Sequence, residues 1–120
     1  MFMGEKSVLK EKSFAFGLIV VEICRQLRES KKEYILYRQL LRSGTAIGAL
    51  IREDEFAQSK ADFINKLSIA LKEANETEYW FELLIASKYM EKEIHRYDVL
   101  LLKELIKMLI ASINTVKKNQ

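Results

Sequence analysis

The chain has no proline, and its apolar residues recur at helical spacing over most of its length. Proline and glycine are the residues that most often interrupt a helix, and only four glycines are present. Apolar residues at every third or fourth position indicate amphipathic helices. The pattern therefore predicts an all-α fold with four helical segments of similar size, at residues 7–30, 33–55, 60–88 and 96–117.

The segments are joined by short polar connections, which favour antiparallel packing of neighbouring helices. We therefore predict an up-down-up-down four-helix bundle that forms a single domain over residues 1–120. Ser59 is followed three positions later by Asp62. This spacing is typical of an N-terminal cap with an acid in the first helical turn, so it predicts where the third helix begins.

Small residues lie inside the apolar pattern of the second segment, at Ser43, Gly44, Ala46, Gly48 and Ala49. Each glycine destabilises a helix by about 1 kcal/mol relative to alanine. Close contact with another helix would compensate for that cost. We therefore expect the second helix to pack tightly against a neighbour.

The first segment has more apolar surface than one bundle needs. Residues 14–24 carry a single charge, Glu22, and are apolar nearly all the way round, as in a helix buried on every side. They are too few to span a bilayer. We predict self-association near this helix, with interface residues Phe16, Val20, Ile23, Leu27, Ile69, Trp80 and Leu83. The alternative is that Phe16 and Trp80 merely thicken the core of a monomer.

The core stripe of the third helix is predicted to contain Phe63, Leu67, Ala70, Leu71, Ala74, Phe81 and Ile85. Glu78 falls on this stripe, and a buried carboxylate needs a partner or loses its charge. Arg25 shares a stripe of the first helix with Phe14, Leu18 and Val21. We therefore predict a Glu78–Arg25 ion pair with a structural role, and the tyrosine hydroxyls are alternative partners.

No constellation of residues predicts catalysis, a metal site or a cofactor. His95 is the only histidine and Cys24 the only cysteine, too few for the usual zinc or di-iron ligand sets. His95 also has no recognisable nucleophile beside it. We expect His95 to be a solvated residue near a helix start and Cys24 to fill the core.

Positive charge is concentrated in one part of the chain, although the net charge is only +3. Residues 25–42 contain six basic and two acidic residues, and the bundle topology places them at one end. Such a surface fits the phosphates of RNA or DNA with little sequence readout. The candidate nucleic-acid-binding residues are Arg25, Arg28, Lys31, Lys32, Arg38 and Arg42. An ordinary solvated helix end is the alternative.

Several segments resemble the bacterial four-helix-bundle proteins encoded in 23S ribosomal RNA intervening sequences. They include Glu11-Lys-Ser-Phe14, Gln39-Leu-Leu-Arg-Ser-Gly-Thr-Ala-Ile-Gly-Ala49, Ile51-Arg-Glu53 and residues 62–84. The resemblance covers nearly the whole chain and implies an all-helical bundle with no established enzyme activity. A more distant similarity is to the accessory protein of diversity-generating retroelements. That protein is a basic homopentamer that binds a reverse transcriptase and nucleic acid.

Together these features lead us to expect a non-enzymatic homo-oligomeric ring, with five copies favoured, that binds RNA or an RNA–protein partner. A reverse transcriptase is a candidate partner only through the distant similarity. The second hypothesis is a protein-binding or structural assembly with no nucleic-acid role. The N-terminus has no secretory signal pattern and no segment has the length of a membrane span, so we expect a cytoplasmic protein.

Overall fold

The computed structural model describes residues 3–119, and side chains from residue 8 onward. It contains four helices, α1 (Met3–Glu29), α2 (Leu36–Glu53), α3 (Lys60–Ala86) and α4 (Arg96–Lys118). A single 3-10 turn, Asp54–Phe56, follows α2, and no strand occurs within residues 3–119. The prediction of an all-α four-helix bundle is confirmed.

The helices pack in chain order around a common core. α2 packs on α1 and α3, α4 packs on α3, and a smaller contact between α1 and α4 closes the bundle. The molecule measures 48 × 23 × 19 Å, so the helices run along its long axis. Consecutive helices are antiparallel. The α1–α2 and α3–α4 turns therefore lie at one end, and the α2–α3 turn lies at the other.

Aromatic and aliphatic side chains from all four helices form the core. Phe16 of α1 and Phe81 of α3 meet across the bundle with ring centroids 5.9 Å apart, and both are almost completely buried. The predicted stripe of α3 is confirmed. Leu67, Ala70, Ala74 and Phe81 are buried, while Phe63, Leu71 and Ile85 are partly buried against the same core.

The small residues of α2 allow the close helix contacts that the sequence predicted. A Cβ atom at Gly44 would lie 2.8 Å from a methyl group of Val20 in α1. At Gly48 it would lie 3.3 Å from the backbone oxygen of Ser13. On the α3 side, the Thr77 hydroxyl donates to Ser43 Oγ at 2.9 Å. Larger side chains at these positions would push α1 and α3 away from α2.

The predicted cap of α3 is confirmed. Ser59 Oγ accepts a hydrogen bond from the Asp62 backbone N–H at 3.0 Å, and Asp62 Oδ2 accepts one from the Gln58 backbone N–H at 3.1 Å. This second bond, together with Lys66, lowers the pKa of the Asp62 carboxyl. The cap therefore fixes the residue at which the chain turns from α2 into α3.

None of the helices in the described part of the chain combines the length and the apolar character needed to cross a bilayer.

Candidate nucleic-acid interface

Six exposed cations surround the end of the bundle where the α1–α2 and α3–α4 turns meet. We call this surface the basic end, and it consists of Lys31, Lys32, Arg38, Lys88, Lys92 and Arg96. A cleft of about 100 Å³ is lined by Lys31 from the first turn and by Tyr89 and His95 from the second. The two turns are therefore neighbours in space.

Two lysines of the basic end occupy left-handed backbone positions at the ends of helices. Lys32 follows α1 with φ of 54°, and Lys88 follows α3 with φ of 68°. A non-glycine residue in this conformation costs about 1 kcal/mol, a cost that glycine would avoid. Both turns thus carry a lysine side chain at a local cost in stability, and non-glycine residues in this conformation are found at functional sites as well as at ordinary helix ends.

A buried glutamate holds the α1–α2 turn in place. Glu33 Oε1 accepts hydrogen bonds from the backbone N–H groups of Ile35 and Leu36 at 3.0 and 2.8 Å, and Oε2 accepts one from Tyr37 at 2.7 Å. Its own backbone N–H donates to Leu27 O at 2.8 Å. Glu33 therefore ends α1, caps α2 and positions Lys31 and Lys32 between them. The sequence analysis did not identify this role.

The cations of the basic end have no carboxylate partners among the residues that the structure describes. None of the six forms an ion pair with any acid that the structure describes. Arg38 instead lies over the Tyr37 ring, 5.9 Å from its centroid. At the opposite end Lys10, Lys12 and Lys66 are held by Glu55, Glu104 and Asp62 at 2.8, 2.7 and 3.1 Å.

The other candidate nucleic-acid-binding residues are exposed but paired. Arg25 and Arg28 bind Glu22 and Glu29 of their own helix, at 2.6 and 3.2 Å. Arg42 lies farther along α2 and contacts Glu73 and Glu76 of α3. The structure therefore brings Lys31, Lys32 and Arg38 together and places Arg42 on the side of the bundle.

The predicted ion pair between Glu78 and Arg25 is wrong. Arg25 is exposed on the outer face of α1, whereas half-buried Glu78 lines a groove between α3 and α4. This groove also contains Lys92 and Arg96 of the basic end. The error has a simple cause, because the stripe of α1 that carries Arg25 faces solvent and not the core.

For the same reason, the predicted interface residues of α1 are not at the surface. Phe16, Val20, Ile23 and Leu27 lie in the core of the single chain, each at most 4% exposed. They have no surface to offer a second copy. The stripe predicted for the core is outside instead, with Phe14, Leu18 and Val21 at 56%, 58% and 39% exposure. The two faces of α1 are thus exchanged relative to the prediction.

The three interface candidates of α3 differ in exposure. Ile69 is 41% exposed, whereas Trp80 and Leu83 are half-buried. The Trp80 indole donates to Glu76 Oε2 at 3.0 Å and packs edge-on against Tyr79. Trp80 therefore joins the Arg42–Glu76 contact, and of these three residues Ile69 has the largest exposed fraction.

A shallow groove of about 520 Å³ runs beside the exposed stripe of α1, between α1 and α2. Its lining includes Phe14, Leu18 and Phe56, and Phe56 is 78% exposed. Gly17 also lies in this groove, and a Cβ atom there would have nothing within 4 Å. The groove is thus an apolar surface with room for side chains from outside the chain.

Cys24 and His95, the side chains most able to take part in a reaction, are both largely buried. Burial raises the pKa of the Cys24 thiol to about 12, and nearby Glu33 adds to the effect, so the thiol is unreactive near neutral pH. His95 directly precedes α4, near a helix start as predicted, but its side chain is only 12% exposed, and its Nδ1 lies 2.9 Å from Asp98 Oδ2. The prediction that it is solvated is wrong. No potential metal cluster occurs among residues 8–119.

This chain is similar to a known protein family and to solved structures. Residues 5–111 match the model of the 23S rRNA-intervening sequence protein family. The fold matches the crystal structure of a protein of unknown function from the S23 ribosomal protein family of Bacteroides thetaiotaomicron, with a TM-score of 0.89. The two sequences are 50% identical, and the match covers 92% of this chain and 98% of that one. A comparison with curated proteins finds no match.

Proposed function

This chain belongs to the 23S rRNA-intervening sequence protein family, and we propose that it is a non-enzymatic homo-oligomeric protein that binds RNA through its basic end. One observation carries the proposal: six exposed cations share one end of the bundle without a carboxylate partner among the described acids. Unpaired cations are available to phosphates, whereas paired ones must first give up their partners.

The left-handed backbone positions of two lysines also support RNA binding through the basic end. Lys32 and Lys88 sit at left-handed positions on the two adjacent turns, and each points to a use for the side chain beyond folding. Phosphate contacts of this kind position a nucleic acid but do not read its sequence. The proposed binding is therefore electrostatic and falls as the salt concentration rises.

Charge reversal at the basic end tests the RNA-binding proposal. In Lys31→Glu/Lys32→Glu/Arg38→Glu we expect affinity for RNA to fall at least tenfold, because three phosphate contacts are lost. The slope of log Kd against log salt should fall by about two. Fluorescence anisotropy with labelled RNA at several salt concentrations measures both quantities.

The matched control makes the same charge change on α4 away from the basic end, in Lys107→Glu/Lys117→Glu/Lys118→Glu, with Lys107 at mid-helix and the other two at the opposite end. These three lysines are exposed and form no ion pair with any described residue. We expect this variant to lose much less affinity. Equal losses would mean that net charge alone attracts RNA, and no binding by the unaltered protein at low salt would refute the proposal.

Self-association is the second part of the proposal, and the exposed stripe of α1 supports it. Phe14, Leu18 and Val21 follow one another at helical spacing, and Phe56 extends the apolar surface. Full burial of such a side chain contributes about 1.5–3 kcal/mol, and roughly half of that is still to be gained at Phe14 and Leu18, which are already partly buried. A ring of copies, with five favoured, would bury this surface and multiply the field of the basic ends.

Replacing Leu18 by glutamate tests the assembly. Light scattering at micromolar concentration should give a mass near 70 kDa for five copies of the 14.1 kDa chain, and about one fifth of that for Leu18→Glu. Ile110→Glu on α4 is the control, because Ile110 is also exposed, at 43%, but lies on another helix. A mass near 14 kDa for the unaltered protein would eliminate the oligomer.

The second candidate function is that of an oligomeric assembly that binds only proteins. The groove beside the stripe favours it, because apolar clefts of this size accept side chains of another protein. An oligomer that keeps its mass but binds no RNA at low salt would select this alternative.

A further inference from the structure

Three exposed tyrosines lie among the cations of the basic end. Tyr34, Tyr89 and Tyr97 are 55%, 37% and 67% exposed. Tyr34 follows Lys32 by two residues, while Tyr89 and Tyr97 directly follow Lys88 and Arg96. Each tyrosine thus lies within two residues in sequence of a cation that has no carboxylate partner in the described structure. Nothing in the proposed phosphate binding requires these rings.

The three rings come from separate elements that the fold brings to one end. Tyr34 lies in the α1–α2 turn next to the Glu33 cap, and Tyr89 lines the cleft shared with Lys31. Tyr97 is in the first turn of α4. The bundle is only 23 × 19 Å in cross-section, so an extended strand of about four nucleotides is long enough to cross the end that carries these rings.

Tyrosine rings exposed beside cations are the combination that binds unpaired nucleotides. The ring stacks on the face of a base, which is free in a single strand but covered by neighbouring bases in a duplex. The adjacent lysine or arginine neutralises the phosphate. The cleft that Tyr89 lines has a volume of only about 100 Å³, which leaves little room for a protein segment beside this ring.

We propose that the basic end binds single-stranded nucleic acid by stacking bases on Tyr34, Tyr89 and Tyr97. The inference rests on the proposed function and adds the class of nucleic acid and the source of its selectivity. The cations supply attraction for any nucleic acid. The rings supply the preference for unpaired bases, and they act on every base because each has a π face.

The experiment compares three probes of equal length: a single-stranded RNA, a single-stranded DNA and an RNA duplex, each 12 nucleotides or base pairs long. The variants are Tyr34→Ala/Tyr97→Ala and the conservative Tyr34→Phe/Tyr97→Phe, which keeps both rings. Tyr79→Ala is the control, because Tyr79 is also 55% exposed but lies on α3 against Trp80. Affinity is measured by fluorescence anisotropy at several salt concentrations, and circular dichroism verifies folding.

We expect the unaltered protein to bind both single strands at least tenfold more tightly than the duplex. Tyr34→Ala/Tyr97→Ala should lose at least tenfold in affinity for the single strands, with an unchanged salt slope and an unchanged affinity for the duplex. The phenylalanine variant and Tyr79→Ala should bind like the unaltered protein. Tighter binding of RNA than of DNA would show that 2′-hydroxyl groups contribute in addition to stacking.

Two results would overturn the inference while leaving RNA binding intact. One is equal affinity for single strands and duplex. The other is an alanine variant that binds single strands like the unaltered protein, while reversal of Lys31, Lys32 and Arg38 still weakens binding. If no probe binds even at low salt, the proposed function fails as well. If Tyr34→Ala/Tyr97→Ala does not fold, the affinities of Tyr34→Ala alone for the single strands and the duplex are compared in the same way.

Discussion

Replacement of Phe81 by alanine is expected to destabilise the protein by about 3–5 kcal/mol. Phe81 is 2% exposed and its ring meets Phe16 across the bundle, so the truncation leaves a cavity at the centre of the core. Domains of this size are stable by about 5–15 kcal/mol, and the variant would lose a large part of that. Urea unfolding followed by circular dichroism measures the loss.

Two further variants provide reference values for the stability loss of Phe81→Ala. Phe81→Leu keeps most of the apolar volume and should cost about 1–2 kcal/mol. Tyr79→Ala removes a ring from the same helix at a 55% exposed position and should cost well under 1 kcal/mol. Protein concentration is held constant, because self-association would make the unfolding midpoint depend on it. A loss below about 1 kcal/mol for Phe81→Ala would contradict the core described above.

Replacement of Glu33 by alanine is expected to destabilise the protein by about 2–4 kcal/mol. Three backbone N–H groups at the start of α2 would lose the carboxylate that accepts their hydrogen bonds. The α1–α2 turn would loosen, and Lys31, Lys32 and Tyr34 would lose their fixed positions. We therefore expect weaker RNA binding in this variant, although it removes a negative charge. Chemical unfolding and anisotropy measure the two effects.

Glu29→Ala is the matched control for the charge. Glu29 lies in the same turn region and also carries a negative charge, but it is exposed and pairs only with Arg28. Its removal should change stability by less than about 0.5 kcal/mol, since exposed ion pairs contribute little. RNA affinity should stay equal or rise slightly. If Glu33→Ala behaved like Glu29→Ala, the cap would have no structural role.

Much of the fold follows from short-range patterns. The helices begin and end close to the predicted residues, because apolar spacing and the Ser59 cap are local features. Gly44 likewise predicted a close helix contact, which the structure shows to be with Val20 of α1. A glycine inside a helical pattern indicates such a contact but does not identify the partner helix.

The candidate site was predictable only in part. The sequence placed Lys31, Lys32 and Arg38 correctly near one end, because the topology of an antiparallel bundle determines which turns are neighbours. It did not reveal that Arg42 contacts Glu73 and Glu76, or that Glu33 is buried as a cap. A glutamate three residues before the first residue of a helix is a weak signal for a cap, since serine, threonine, aspartate and asparagine are the usual capping residues.

The sequence by itself determined the number of helices, their order and their antiparallel arrangement, because these depend on periodicity and on the lengths of connections. Only the tertiary structure decided which face of α1 is buried. Residues 14–24 are apolar nearly all the way round, so their periodicity does not distinguish Phe16 and Val20 from Phe14 and Leu18. The choice depends on packing against α2, α3 and α4, where Gly44 accommodates Val20 and Phe81 meets Phe16. These contacts leave Phe14 and Leu18 at the surface, where they form part of the proposed interface between copies.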